Sequence, residues 1–390
     1  MTRMSTSVAH AVLFSTDLFR SVAQFQTGAP AALRKPLAHL RKLLGRMRYR
    51  CGYGPSLWLG LPNDEASWLN VYGLRALMLL ARHCPSAVLN EDVFDYMSGC
   101  GHMDAVCLLH DLKAPCTKYA LNAAAEHGHL DVVNFLHSER KEGCTTHAMD
   151  YAAKNGHVDV VRFLHEHRTE GCTIYAMAAA ASHGHLATVM YLHANRSEGC
   201  TAAAMDLAAC NGDEAMVRFL HTYRPEGCSY VALDGAAKIG HLGTVRFLDT
   251  HRSEGRVADA LLSAARFGHT DVVDYLLTRT AYVDAVLNVA ARNNHASLVT
   301  HLVSTYATHG SPKAFIWAAM AGHTDVLEAL WDFDMDACPL LAARRAASEF
   351  KHERTLQWLD TCYTSSLVPW TGVIDHIEFV LAEARPRLVF

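Results

Sequence analysis

The chain carries 25 histidines and 12 cysteines in 390 residues, and these are the side chains that hold zinc or, as thiolates, act as nucleophiles. Most of them fall into columns about 28 residues apart. One column is His129, His157, His185, His241 and His269; a second is His137, His165, His193 and His221; a third is Cys144, Cys172, Cys200 and Cys228. If each period is one structural unit, helices of adjacent units lie about 8 to 10 Å apart. Two imidazoles on one zinc need nitrogens within about 4 Å, given bonds of about 2.0 to 2.1 Å. One ligand per unit is too sparse for a metal. The same spacing keeps the cysteine Cα atoms beyond the roughly 7 Å that a disulfide can span. The corner histidines are therefore expected to hydrogen-bond the neighbouring turn, and the cysteines to pack as small residues under a loop.

Catalytic signatures are missing from the sequence. There is no Gly-x4-Gly-Lys-Ser/Thr, His-Glu-x-x-His, Gly-x-Ser-x-Gly, complete Gly-x-Gly-x-x-Gly or Cys-x-x-Cys, and each of these is the local arrangement that its chemistry requires. The reading is a protein without enzymatic activity, catalytic residues, metal or cofactor.

What the columns do mark is a repeat. Its Gly-His corner or a variant falls at Gly101, Gly128, Gly156, Gly184, Gly212, Gly240, Gly268, Asn294, Gly322 and Lys351, ten units with intervals of 26 to 29 residues. Within a unit, Ala148, Met149, Ala152 and Ala153 make one apolar face of a short helix. Thr145 is placed to cap it, and Asn155-Gly156 to end it, because both residues tolerate the left-handed conformation. A second helix follows His157 and buries Val158, Val161, Leu164 and part of Phe163. The valine column runs Val133, Val161, Val189, Val217, Val245, Val273, Val299, and the leucine column Leu136, Leu164, Leu192, Leu220, Leu248, Leu276, Leu302. Alanine pairs such as Ala124-Ala125 and Ala180-Ala181 let neighbouring backbones approach. One helix pair cannot bury both faces, so only the stack is stable. Leu192 belongs to its core and Arg196 to its exposed surface.

A helix pair with Gly-His-x-x-x-Val-x-x-Leu opening its second helix resembles an ankyrin repeat, over residues 90 to about 362. The usual unit is about 33 residues and opens Thr-Pro-Leu-His-x-Ala; these units are about 28 and open Thr-x-x-Ala-Met-x-x-Ala-Ala. They resemble the short ankyrin variants of large protist and giant-virus arrays. The resemblance implies an all-α, ankyrin-like α-solenoid of about ten helix-turn-helix repeats that binds a protein partner on its concave face. The shortened loop puts finger-tip binding in doubt. HEAT-like or tetratricopeptide-like pairs have longer periods.

Under that geometry the variable first-helix positions face the partner. Tyr119, His147, Tyr151, Ile174, Tyr175, Tyr230 and Trp317 are the expected contact residues, because interfaces favour tyrosine and tryptophan. Asp150, Asp206 and Asp234 suggest a mildly negative strip that favours basic partners.

Three regions divide the chain: a non-repeat helical region 1–89 serving as an N-terminal cap or adaptor, the array 90–366, and a capping segment 367–390 in which Trp370, Ile374, Ile377, Phe379 and Leu381 look buried. Within the first, Val8 to Phe25 and Leu33 to Met47 have helical spacing, Gly52 to Pro62 reads as a loop, and Leu69 to Arg82 as a helix. Residues 1–63 hold nine Lys/Arg and one acid, against a whole-chain net charge of -4. The Leu33–Met47 helix places Arg34, Lys35, Arg41, Lys42 and Arg46 beside its leucines. It is read as a surface helix with leucine inside and arginine outside. Recruitment to an anionic membrane and a ubiquitin-ligase adaptor with an F-box-like Phe14–Leu44 are the alternatives to a simple scaffold. Apolar residues at 51% and charged residues at 19% suit a folded protein. The negative total predicts no general affinity for nucleic acid. No run of 18 apolar residues offers a stable membrane insertion, and no secretory leader stands out. A cytoplasmic monomer with reduced thiols is expected.

Overall fold

The computed structural model describes residues 31–50, 68–306, 311–332 and 339–365. All regular structure among them is helical, and the helices from Glu91–Gly99 to Glu353–Ser365 fall into ten pairs. Within each of two compact units, first helices pack on the first helices of the adjoining pairs and second helices on second helices. These units are Met1–Thr201 and Ala202–Phe390. The first contains the N-terminal helices and four pairs, the second the remaining six.

The pair Thr146–Lys154 and Val158–His167 shows why the sequence folds this way. Thr145 sits in extended backbone and its hydroxyl accepts the amide of His147 at 3.3 Å, satisfying one of the donors a helix start leaves unpaired. Thr117, Thr173 and Ser229 do the same for their helices. The helix stops at Gly156, whose φ of 78° is open to glycine at little steric cost. Asn155 keeps φ at −94°, so the glycine alone takes the left-handed turn. There is a second reason for glycine there. A Cβ on Gly156 would lie 2.5 Å from Nδ1 of His185, the corner histidine of the next pair.

The corner histidines reach back to the previous unit. His129 Nε2 meets the Gly99 carbonyl at 3.1 Å, and His269, His295, His323 and His352 likewise meet the carbonyls of Lys238, Arg266, Arg292 and Met320. Each such contact uses an otherwise orphaned helix-end carbonyl. Behind them lies the core. Val133, Val161 and Val189 with Leu136, Leu164 and Leu192 are buried in the first unit, as are Val217, Val245, Val273 and Val299 with Leu220, Leu248, Leu276 and Leu302 in the second. Each contributes about 1.5 to 3 kcal/mol by leaving water.

Two expectations need correction. Asp150 and Asp206 form no negative strip, because they are buried, at 3% and 9% exposure. Asp150 accepts the Thr173 amide at 2.8 Å and the Thr173 hydroxyl at 2.9 Å; Asp206 treats Ser229 in the same way. Asp234 is half-buried and accepts from Ser263 at 2.5 Å. Asp150 and Asp206 join one first helix to the cap of the next, and Asp234 joins its helix to Ser263 within the next, Val257–Phe267. Asn122 likewise joins its helix to the next cap, accepting from the Thr145 amide and donating to its hydroxyl. Arg196 is not a free surface residue either: it is ion-paired with Glu198, and a Cβ on Gly171 would lie 2.5 Å from its guanidinium. The same arrangement recurs at Arg140–Glu142, Arg168–Glu170, Arg224–Glu226 and Arg252–Glu254.

The buried carboxylate at 150 supports a prediction. Asp150→Ala leaves the Thr173 amide and hydroxyl without their acceptor, and each buried orphan costs about 1 to 3 kcal/mol. Urea unfolding is expected to show a loss in that range, and a loss below about 0.5 kcal/mol, the usual surface value, would refute the inter-repeat cap.

In the N-terminal region, Ala31–Arg50 and Trp68–His83 are helices, the second broken at Gly73 with φ 75°. Leu33 and Leu40 are buried while Arg34, Lys35 and Lys42 are exposed, the inward-leucine arrangement. The expected helix over Val8–Phe25, the loop over Gly52–Pro62 and the capping segment 367–390 lie outside the described residues. No helix among those described is long and apolar enough to cross a membrane.

Candidate partner-binding surface

The first turns of several first helices carry exposed apolar residues. Each of the first helices Lys118–Glu126, Thr146–Lys154, Ile174–Ser182 and Tyr230–Ile239 is fixed at its N-terminus by its own threonine or serine cap, which Asp95, Asn122, Asp150 or Asp206 of the preceding first helix holds in turn. Its first two side chains therefore project on a fixed base. In the first unit these include Tyr119, Ile174 and Tyr175, exposed at 42%, 50% and 43%. In the second unit Tyr230 and Val231 occupy the same place, and Tyr230 lies under the Arg256 guanidinium at 5.6 Å.

The other expected contact residues lie deeper. Tyr151 is buried, 8% exposed, beside Tyr175 at 6.0 Å between ring centroids and stacked with His147 at 5.8 Å. His147 is half-buried with Nδ1 3.1 Å from the Thr145 hydroxyl. Trp317 is also half-buried, packed against Ile316, Met320, Ala342 and Ala346, with Arg292 5.8 Å over its ring. Tyr119, Ile174 and Tyr175 are thus offered to solvent in the first unit and Tyr230 in the second, while Tyr151 and Trp317 support their surroundings.

The histidines and cysteines have packing roles. His110, His137, His165 and His221 lie edge-on against Phe135, Phe163, Tyr191 and Phe247 of the next pair, with Nδ1 buried and without a partner. Burial, then the charge of Arg168, lowers the pKa of His137; burial and Arg252 lower that of His221. Both effects favour the neutral ring. The ten described cysteines are free thiols. Burial pushes Cys116 and Cys144 up to about 12 and Cys172 up to about 11, far from the thiolate needed for reactivity. Among the described residues no group of three His, Cys, Asp or Glu could hold a metal.

The column reading missed the partners of these residues. An Arg-x-Glu-Gly-Cys string recurs at Arg140, Arg168, Arg196 and Arg224, and that repetition was the signal for the loop ion pairs. The aromatic column Phe135, Phe163, Tyr191, Phe247 was the corresponding signal for the histidines.

A stack of short helix pairs, most of them turned by a glycine and tied to the pair before by a corner histidine, defines an ankyrin-like α-solenoid. The family model for ankyrin repeats (three copies) matches residues 94–176, so an ankyrin-repeat family is identified within the chain. No curated protein matches it.

Proposed function

We propose that the protein is a non-catalytic interaction scaffold that holds a protein partner on the first-helix face of its array, the face expected to be concave. Supporting this reading is the exposed set Tyr119, Ile174 and Tyr175, large apolar side chains standing at the same helical turn of the second and fourth repeats. Residues 1–89 would serve as cap or adaptor, 90–366 as the binding array and 367–390 as the closing segment. A specific interface covers about 800 Å² on each partner, which three or four repeats provide, and tyrosine supplies large contact area at small entropic cost.

The test is capture from cell lysate by the full chain and by a Tyr119→Ala, Ile174→Ala, Tyr175→Ala variant. Central interface aromatics cost about 2 kcal/mol or more each, so recovery of the partner is expected to fall more than tenfold while the melting temperature stays unchanged. Equal recovery of every captured protein by both forms would end the proposal. Tyr230→Ala, tested separately, reports on the second unit.

A further inference from the structure

Just before the corner, His127, Asn155, His183 and Asn293 each hydrogen-bond a carbonyl at the end of a first helix, those of Ala123, Glu126, Ala179 and Val289. Such polar side chains satisfy acceptors that a helix end leaves open. Two adjoining repeats of the second unit give this up. There the place is held by Ile239 and Phe267, exposed at 37% and 45%. One residue earlier stand two exposed cations, Lys238 and Arg266, and the half-buried Arg292 holds that place in the repeat that follows. In the first unit the same column reads Gly99, Glu126, Lys154 and Ser182. Three cations in succession, with large apolar side chains exposed between them, are particular to this stretch of the array.

The side chains form one row. Their helices, Tyr230–Ile239, Val257–Phe267 and Val283–Arg292, pack side by side within the second unit. Lys238 Nζ lies 5.4 Å from the centroid of the Phe267 ring, so it leans across to the next repeat; Arg292 lies 5.8 Å over Trp317 of the next first helix. The helix ends that carry the cations are pinned, because His269, His295 and His323 meet the carbonyls of Lys238, Arg266 and Arg292 at 2.9, 2.7 and 3.0 Å. Asp271, the exposed acid just past the Gly268 corner, is turned to the Val272 amide at 2.9 Å. Packed helices lie about 8 to 10 Å apart. A polyproline II segment has three residues per turn and rises about 3.1 Å per residue, so every third side chain faces the same way about 9 Å further on. The two spacings match.

We propose that Lys238, Ile239, Arg266, Phe267 and Arg292 dock an acidic peptide segment of a partner protein in polyproline II conformation, one carboxylate to each cation at every third residue and apolar side chains over Ile239 and Phe267. The row lies at the other end of the first helices from the tyrosine strip. It goes beyond the scaffold reading, since it needs none of Tyr119, Ile174 or Tyr175. Nucleic acid would satisfy the cations and leave Ile239 without an aliphatic partner.

The probe is fluorescein-labelled Glu-Pro-Leu-Glu-Pro-Leu-Glu amide, titrated against the full chain by fluorescence anisotropy. Beside it run its Gln-for-Glu twin and an isomer with the glutamates consecutive. The spaced glutamate peptide is expected to bind about tenfold more tightly than the glutamine twin, the sum of three exposed charge pairs of modest strength, with the gap narrowing in salt. It is expected to bind severalfold more tightly than the isomer. Lys238→Gln with Arg266→Gln, both at exposed positions, is expected to remove most of the gap. The decisive variant is Ile239→Asn with Phe267→Asn, which restores the polar residue of other repeats. It is expected to weaken the spaced peptide severalfold while the melting temperature holds or rises, whereas side chains kept for packing would lower it. Equal affinity for the glutamate and glutamine peptides, equal affinity for the isomer, or tighter binding of a single-stranded oligothymidylate than of the peptide would overturn the docking row. Loss of partner capture in the tyrosine variant with the glutamate peptide still bound would leave this surface standing by itself.

Discussion

Leu192→Ala is expected to destabilise the array by about 2 to 5 kcal/mol, the range for truncating a core leucine where the site cannot fully collapse. Leu192 is 1% exposed in the helix Leu186–Asn195, in line with Leu164 and Leu136 of the preceding pairs. The stack gives such a residue no alternative partner, because a repeat touches only adjoining ones. A cavity there weakens the contact between pairs as well as within one. Arg196 cannot serve as the surface control, since it is ion-paired with Glu198 over Gly171. Ser197 is exposed and its side chain is the better reference. Urea unfolding of Leu192→Ala beside Ser197→Ala checks the prediction: a midpoint shift no larger than that of the serine variant would remove Leu192 from the core. Because repeat arrays can lose all-or-none behaviour, the comparison should use more than one probe.

The parts of this fold that were legible in the sequence are those decided inside one repeat. Thr145 as a cap, Gly156 as a stop and Val161 with Leu164 as an apolar stripe each follow from local chemistry, and repetition at 28 residues made them hard to misread. What escaped depends on the neighbouring repeat. Asp150 sits on the first helix where a solvent-facing acid would sit, and it is buried because Thr173, 23 residues on, brings an amide and a hydroxyl to it. Tyr151 and Tyr175 are both variable aromatics, but Tyr175 stands in the first turn of its helix and Tyr151 one turn deeper, beneath it. No single-repeat pattern separates the two. The family match to residues 94–176 falls on the pairs whose corners and caps are most regular. Toward the end of the array, Asn294 and Lys351 replace the corner glycine and keep its positive φ, at 63° and 60°. The turn geometry persists there after the sequence signal has weakened.

Trp68→Ala is expected to release the helix Ala31–Arg50 from the helix Trp68–His83 and the first repeat, at a cost of about 3 to 5 kcal/mol for the lost side chain. Trp68 is fully buried. Its indole Nε1 donates to the Pro36 carbonyl at 2.8 Å, and its backbone amide donates to the Tyr96 hydroxyl at 3.2 Å. The ring packs on Tyr72 at 5.2 Å, and Tyr72 in turn meets His39 edge-on. One residue thus ties the helix Ala31–Arg50 to the helix Trp68–His83, and that helix to the first repeat. Without the indole, the Pro36 carbonyl loses its donor and Tyr72 loses the ring it packs on. Hydrogen exchange is the suitable measurement, because it resolves local opening from global unfolding. Residues 31–50 should exchange much faster in the variant while Lys118–Glu126 and Thr146–Lys154 keep their protection. Trp68→Phe retains most of the volume and removes only the indole donor, so it should cost about 1 to 3 kcal/mol, the penalty for one unsatisfied buried acceptor. Unchanged protection of 31–50 in Trp68→Ala would mean that the basic helix is held by other contacts. Faster exchange confined to that helix would make Trp68 the joint through which the basic region is carried on the repeat array.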